Sequence, residues 1–351
     1  MTTTLPVPTP AFSLDPAHGA HEPPEARGVP RDQVRLLVSR GDDEPVDARF
    51  DDLGAFLDPG DLLVVNTTAT VPAALDGRLP SGEPVVVHVS GALPGDVWLV
   101  EVRQPAGGAT APRRLGHADD VALMDGGHIR LLSRFGDSAR LWIAALDLGA
   151  DSCRYLHEHG RPIRYKHVDH DWPLAAYQTV FARDPGSAEM PSASRPFTAE
   201  VVTDLVARGV LVAPVLLHTG VSSLEGEERP CPEHYDVPET TAALANAVRD
   251  RGGQVIAAGT TVVRALATVT DIRGVVQPGR GWTDVVVTCE TPVVSVDGLL
   301  TGWHEPESTH LWMLGAFASA AALQRAYQHA VERGYLWHEF GDSHLILREH
   351  R

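Results

Sequence analysis

The feature that most constrains this chain is a change of rhythm along it. After about residue 175, short apolar runs alternate with helical patterns. TAEVVTDLVARG reads as a helix, LVAPVLL as a strand, PETTAALANAVRDRG as a helix, QVIAAG as a strand, TTVVRALATV as a helix and TDVVVT as a strand. Elements of these lengths in this order build βα units around a mainly parallel sheet. Between about 71 and 150 the texture differs: PVVVHVS, DVWLVEVR, HIRLLSR and SARLWIAAL are short strand-like runs separated by Gly, Pro and Asp. No long helical pattern interrupts them, so a small antiparallel β-barrel or sandwich is expected there. Upstream, VRLLVSR (34–40) and DLLVVN (61–66) read as buried strands, with the short helical FDDLGAFL between them.

The expectation is therefore an α/β chain. A discontinuous main domain, residues 31–70 plus 151–351, carries an inserted small antiparallel β-barrel domain at 71–150. Residues 1–30 hold seven prolines and few large apolar side chains, which predicts a flexible or extended arm. The closing helix is expected to start at Ser308 and stop before Gly334, with serine as N-cap and glycine as terminator.

Charge and cysteine usage narrow the setting. The apolar run Leu311–Leu323 is too short to span a bilayer, and MTTTLPVPTP lacks the basic start and apolar core of a secretory signal. No membrane partner is expected. Cys153, Cys231 and Cys289 are widely spaced and form no CxxC pair, which fits a reducing cytoplasm. With 46 acids against 29 bases the net charge is −17, a field that repels phosphate backbones unless a basic patch is segregated from it. Lys166 is the only lysine. Residues 95–170 hold ten bases and ten acids, so RNA, if bound, is expected on the inserted domain and the segment after it.

Motifs are few. In VIAAGTTVVRAL (255–266) a strand runs into Gly259, and Thr260 and Thr261 open a helix with free backbone N–H groups. That suits a polar or anionic ligand, and equally a tight βα turn with threonine capping. LDLGADS (146–152) lacks the further glycines of a methyltransferase turn. HEHGRPIRYKHVDHDW (157–172) holds four histidines and three acids, but its spacings match no compact zinc pattern, so a solvated linker and no metal are expected. The stretch GWHEPESTHLWML (302–314) crowds His304, Glu305, Glu307, Ser308 and Thr309 ahead of an apolar run. A histidine there moves a proton near neutral pH, while hydroxyls hold a ligand. Glutamates at a helix start also complement its dipole, and position alone leaves both readings open.

Taken together and in order, the motifs resemble the S-adenosylmethionine:tRNA ribosyltransferase-isomerase family (QueA) of queuosine biosynthesis. The similarity runs from about residue 30 to 347. It is carried by RDQVRLLV (31–38), PGDLLVVNTT (59–68), VPAAL (71–75), YQTVFA (177–182) and PSASRPFT (191–198). It continues through LLHTG (216–220), EHYDVP (233–238), GTTVVRAL (259–266), TDVVV (283–287), VDGLLTGWHEPEST (296–309) and FGDSHLIL (340–347). The resemblance implies a discontinuous α/β domain with an inserted β-barrel. It implies S-adenosylmethionine as cosubstrate, without a metal, and a reaction that takes its ribosyl part. Adenine and methionine leave, and an epoxycyclopentanediol is built on 7-aminomethyl-7-deazaguanine in the tRNA anticodon.

Carried onto this sequence, the resemblance makes His304 and His218 proton-handling residues and gives Glu233 an orienting or charge-stabilising role. Tyr177, Gln178, Thr179, Ser192, Gly259, Thr260, Thr261, Arg264, Ser308 and Thr309 would shape the cosubstrate pocket. Arg31, Asp32, Arg35, Asn66 and Asp342 would support it. The chain also departs from the family. NFHLPKST reads GWHEPEST, with glutamates at 305 and 307. NDTRVIPARL reads NTTATVPAAL, placing Thr67, Ala69 and Ala74 where an acid and two arginines are usual. APTAGLHF reads MPSASRPF, GAGTF reads GVSSL (220–224), and the glutamate after GTTxxRTL is Ala267. Lysine to glutamate moves local charge by two units, which a nearby phosphate feels as repulsion. Three readings follow: a tRNA ribosyltransferase-isomerase, a paralogue that uses S-adenosylmethionine on a small acceptor, or a non-catalytic binding protein. The sequence leaves the oligomeric state open.

Overall fold

The computed structural model describes residues 9–106, 109–116, 119–149, 151–165, 167–221, 231–291, 293–306 and 308–348. Glu307, Lys166 and most of GVSSL lie outside the described residues. Two sheets dominate. In the larger, nine strands run in the order Gly279–Thr283, Glu233–Val237, Leu211–Leu217, Leu62–Asn66, Val255–Ala258, Gly298–Gly302, Ser343–Leu347, Arg35–Arg40 and Val46–Arg49. The four strands from Leu211–Leu217 to Gly298–Gly302 are mutually parallel. Ser343–Leu347 runs antiparallel to Gly298–Gly302 and parallel to Arg35–Arg40, and the outer strands pair antiparallel at both edges. The expected mainly parallel sheet is thus a parallel block within a mixed sheet. One edge, Arg35–Arg40 with Val46–Arg49, is a hairpin that needs no crossover helix, whereas at the other Gly279–Thr283 returns to pair antiparallel with Glu233–Val237 after an intervening helix, strand and helix.

Alternation explains why this sheet is covered on both faces. Leu62 and Val64 point to one face, where they pack with Ala245, Val248, Val262, Leu266 and Tyr327 of the helices Glu239–Asp250, Thr260–Val269 and Ala320–Glu332. Leu63 and Val65 point to the other, against Phe50, Leu53, Phe197, Val201 and Leu205. Each strand is buried on two sides, so it reads as a continuous apolar run.

The second sheet closes on itself. Leu141–Asp147, His128–Arg134, Asp120–Leu123, Ala74–Arg78, Pro84–Leu93 and Val97–Ala106 pair in that order, and Val97–Ala106 returns to Leu141–Asp147 through Leu141↔Glu101 and Ala144↔Trp98. The result is a six-stranded antiparallel β-barrel with its own apolar core, among it Val87, Val100, Val102, Val121, Ile129 and Ala144. Closure removes the exposed sheet edges that so many short strands would otherwise present.

Four expectations are corrected. Residues 9–30 do not float: Phe12 packs 4.9 Å from Tyr327, Ala20 donates to Trp337 O (3.1 Å), and Glu25 pairs with Arg195 at 2.8 Å. The closing helix is broken. His310–Leu314 ends at Gly315, and Ser319 caps Ala320–Glu332 anew by accepting from Ala322 N (3.1 Å). The strand expected over TDVVVT instead occupies Gly279–Thr283, because Thr283 is the last residue paired to the neighbouring strand. The histidine-rich stretch 157–172 is no solvated linker: Ile163 and Val168 are buried, and His167 pairs with Glu339 at 2.7 Å. Among the described residues, no group of three His, Cys, Asp or Glu side chains is placed to hold a metal ion. No described helix is long and apolar enough to cross a membrane.

Candidate functional site

A cleft opens at the carboxyl ends of the parallel block, the usual ligand position in open α/β sheets. Its walls come from the turns after three of those strands: Thr219–Val221 after Leu217, Thr260 and Thr261 after Ala258, and Thr309, His310 and Met313 beyond Gly302. Cys231, Glu233 and Val285–Val287 supply the edge side, and Arg140 reaches in from the barrel. The enclosed part is about 90 Å³ and opens to solvent, so a nucleoside-sized ligand would extend along the mouth.

The floor is stitched together by one ion pair. Arg264, on the helix Thr260–Val269, pairs with Glu233 and also donates to Val285 O (3.1 Å) and Thr283 O (3.1 Å). Glu233 Oε1 accepts Gly220 N–H at 2.8 Å. Both side chains are nearly buried, so each depends on the other: a lone charge here would be strongly destabilising. Gly259, at φ +103°, lets the strand turn directly into that helix. No side chain caps the helix. Asn66 anchors the same corner with all four of its hydrogen-bonding capacities used. Its Oδ1 accepts Leu217 N and Thr68 N (both 3.1 Å), and its Nδ2 donates to Leu217 O (2.8 Å) and Thr261 Oγ1 (3.2 Å).

Two imidazoles stand at the far wall. His310 and His304 stack with ring centroids 4.5 Å apart and planes 2° from parallel. Ser308 Oγ lies 3.1 Å from His310 Nδ1, and Thr301 Oγ1 lies 2.9 Å from His304 Nε2. Burial pushes both pKa values down, His304 well below its usual value and His310 to about 4, with the Arg264 charge adding to the latter. At neutral pH the cleft therefore presents one neutral ring, His310, with the neutral His304 stacked behind it, beside a neutralised Arg264–Glu233 pair.

The sequence matches the family model described as Queuosine biosynthesis protein over residues 9–346. The chain belongs to this family. It is 36% identical to the S-adenosylmethionine:tRNA ribosyltransferase-isomerase of Moorella thermoacetica, across 96% of this chain and 98% of that protein. The protein of the same name from Thermotoga maritima is 31% identical, again across 96% and 98%. A crystal structure titled S-adenosylmethionine tRNA ribosyltransferase, also from Thermotoga maritima, superposes with a TM-score of 0.53 at 27% identity, covering 96% of this chain and 99% of that one. The mixed α/β architecture with its barrel is the fold expected of this queuosine biosynthesis family.

The structure sorts the residues singled out in the sequence into groups. Glu233, Thr260, Thr261, Arg264 and Thr309 line the cleft, with Gly259, Asn66 and Ser308 directly behind. His304 is stacked behind His310, which opens the helix His310–Leu314 and which its sequence pattern did not single out. His218 belongs to a neighbouring network: its Nδ1 lies 2.8 Å from Thr68 Oγ1, which lies 2.7 Å from Ser187 Oγ. Burial, then the His234 ring 5.8 Å away, pushes His218 down to about 4.

The remaining residues lie outside the lining of this cleft. Gln178 clasps the Thr70 backbone through two bonds (3.1 and 2.8 Å), Tyr177 O accepts from Thr70 Oγ1, and Thr179 Oγ1 accepts from Phe181 N. Ser192 and Asp342 line a separate void of about 10 Å³ with Arg195, His338 and Glu339, room for a single water. Asp342 accepts from Arg35 N and Leu336 N (2.8 Å each), and burial raises its pKa. Arg35 lies 3.8 Å over the Tyr335 ring, Arg31 pairs with Glu25 at 2.9 Å, and Asp32 accepts from Thr198 Oγ1 at 3.0 Å.

Proposed function

We propose that this protein is an S-adenosylmethionine-dependent ribosyltransferase-isomerase of the queuosine type. It would transfer and isomerise the ribosyl part of S-adenosylmethionine onto a 7-aminomethyl-7-deazaguanine acceptor, releasing adenine and methionine. The observation that carries this reading is convergence: LLHTG, EHYDVP, GTTVVRAL and GWHEPEST are far apart in sequence yet contribute Thr219, Glu233, Thr261, Arg264 and Thr309 to one cleft. The chemistry asks little of the protein. A sulfonium acidifies the adjacent ribose C5′ proton, so a modest base suffices; the carbanion-like centre then expels adenine, and the acceptor's amine supplies the attacking electrons. The cleft offers the neutral His310 imidazole for the proton and an Arg264–Glu233 pair whose cancelled charge does not repel a cationic cosubstrate.

The acceptor in the family reading is tRNA. A small acceptor of the same deazapurine chemistry is favoured by one specific feature: the two arginines of the cleft each face a carboxylate, Arg264 with Glu233 and Arg140 with Glu101 at 3.1 Å. Mass spectrometry of the protein with S-adenosylmethionine decides. One sample contains tRNA bearing 7-aminomethyl-7-deazaguanine, a second the free base, and a third neither. Adenine and methionine release with tRNA, with the matching mass gain, is the expected result. Release only with the free base makes the small-acceptor reading correct. Binding without release in any sample rejects both.

A further inference from the structure

Resting on that reading, we propose that His310 accepts the C5′ proton of bound S-adenosylmethionine, with His304 a positioning residue stacked behind it. Position comes first: His310 lines the cleft beside Arg264, Glu233, Thr309 and Met313, whereas His304 does not. Availability comes second. Glu233 has one oxygen on Arg264 and the other on Gly220 N–H. Arg140 and Arg264 are cations, and Cys231 is a thiol that must lose its own proton before taking one. His310 Nδ1 is tied to Ser308 Oγ, and among the described residues its Nε2 has no hydrogen-bond partner.

The stack sets orientation. Parallel rings 4.5 Å apart leave the His310 plane one position. His304 is itself held at Nε2 by Thr301 Oγ1 and at its carbonyl by Trp337 Nε1–H (3.0 Å). Among the described residues, the charged and titratable groups facing the pair are Arg264 with Glu233 on the cleft side, and His338, paired with Glu305, and His344 behind His304. Among the described residues none is a carboxylate bonded to either ring, so burial keeps both rings neutral and leaves His310 Nε2 with an unprotonated lone pair. In the step, the C5′–H bond breaks, its electron pair stays on C5′ beside the sulfonium, and the proton bonds to His310 Nε2. The required tautomer carries its hydrogen on Nδ1, donated to Ser308 Oγ. The imidazolium then returns the proton to water at the cleft mouth.

The test compares wild type, His310→Ala, His310→Gln, His304→Ala and His304→Phe. Three readouts are taken: S-adenosylmethionine binding by calorimetry, adenine release with acceptor, and deuterium incorporation at C5′ in D2O. His310→Ala and His310→Gln are expected to bind within about threefold of wild type and to lose about 10²–10⁴-fold in both chemical readouts, with added imidazole restoring part of the loss in His310→Ala. His304→Ala is expected to lower kcat with little change in KM, and His304→Phe, which keeps a ring in the stack, to recover part of that loss. A His310→Ala protein that turns over like wild type overturns the proposal alone. So does one whose loss appears entirely as weaker binding, or one that loses less than His304→Ala. A wild type that binds but neither releases adenine nor exchanges C5′ overturns the functional reading and this step with it.

Discussion

Among the described residues three pairs of imidazoles stack, and the two closest reach different charge states. His304 and His310 lie face to face at 4.5 Å, His167 and His338 at 3.8 Å. In the first pair neither ring bonds a carboxylate, and both are driven neutral. In the second, burial also pulls on His167 most strongly, but the Glu339 hydrogen bond at 2.7 Å, the Glu339 charge and Glu305 together raise its pKa. His338, buried against that His167, is pushed down to about 4. Glu339 is held below its usual value, because the His167 bond and charge outweigh burial. The difference teaches that burial is overcome only by a carboxylate bonded directly to the ring, as Glu339 is to His167; Glu305 at 3.6 Å does not do so for His338. In the cleft, Glu233 is engaged by Arg264, and among the described residues no carboxylate bonds the ring of His310 or His304.

The largest expected effect tests whether burial really keeps most of these rings neutral. His88 and His344 are almost fully buried, and their pKa values are pushed down to about 3, His344 by burial alone, His88 by burial and then Arg103, Arg161 and Arg140. Between that value and the ordinary 6.5 the unfolded chain binds protons that the folded chain refuses, so stability falls as pH falls below 6.5 and is flat above it. The slope approaches about 1.4 kcal/mol per pH unit for each ring once the unfolded imidazole is fully protonated, so these two alone remove about 3 kcal/mol between pH 6.5 and 5. His218, His310 and His338 act in the same direction. Urea midpoints across that window measure it, before most carboxylates protonate. A midpoint that does not move would mean that the rings take up protons in the folded state.

A smaller effect breaks the contrast from the other side. Glu339→Gln keeps the shape and removes the charge that holds His167 protonated. We expect a loss of about 1–3 kcal/mol near pH 6, read as a lower Tm, shrinking as pH rises. The sign follows from the raised pKa: the pair's contribution is full below 6.5 and is lost as pH climbs through the folded value. A Glu339→Gln protein as stable as wild type at pH 6 would show that the pair is solvent-screened and contributes nothing.

The same contrast marks what was legible in the sequence. Alternating apolar runs such as LLVVN and VIAA, buried on both faces, announce central strands, and the strand-only texture of 71–150 announces an all-β unit. Closure of that unit was not legible as such, because Val97–Ala106 meets Leu141–Asp147 across a long sequence separation. Nor was the break at Gly315, where a helix of the same composition would have run on without Ser319 to restart it. In the cleft, GTTVVRAL and EHYDVP are visible as motifs, but the Arg264–Glu233 pair that joins them spans 31 positions. The role of His310 has no motif to announce it. Its place follows from a turn through Pro306 that lays one ring on another, and side-chain stacking across a turn leaves no periodic trace.

The smallest energetic effect gives the sharpest reading of the comparison. In protein labelled with ¹³C-histidine, His310 is expected to titrate near 4 and His338 near 4, while His167 titrates above 6.5. In Glu339→Gln, His167 should move below 6.5, because burial then acts against only the distant Glu305 charge. His310 should not move, since no carboxylate of that pair reaches it. If His310 instead titrated near 6.5 in the wild type, the cleft would be wet rather than enclosed. Its ring would then be a stronger base but half-protonated at that pH, and turnover would rise through 6.5 rather than hold level from 5 upward. The titration midpoint and the pH–rate profile must therefore agree, and a disagreement between them would assign the proton to another group.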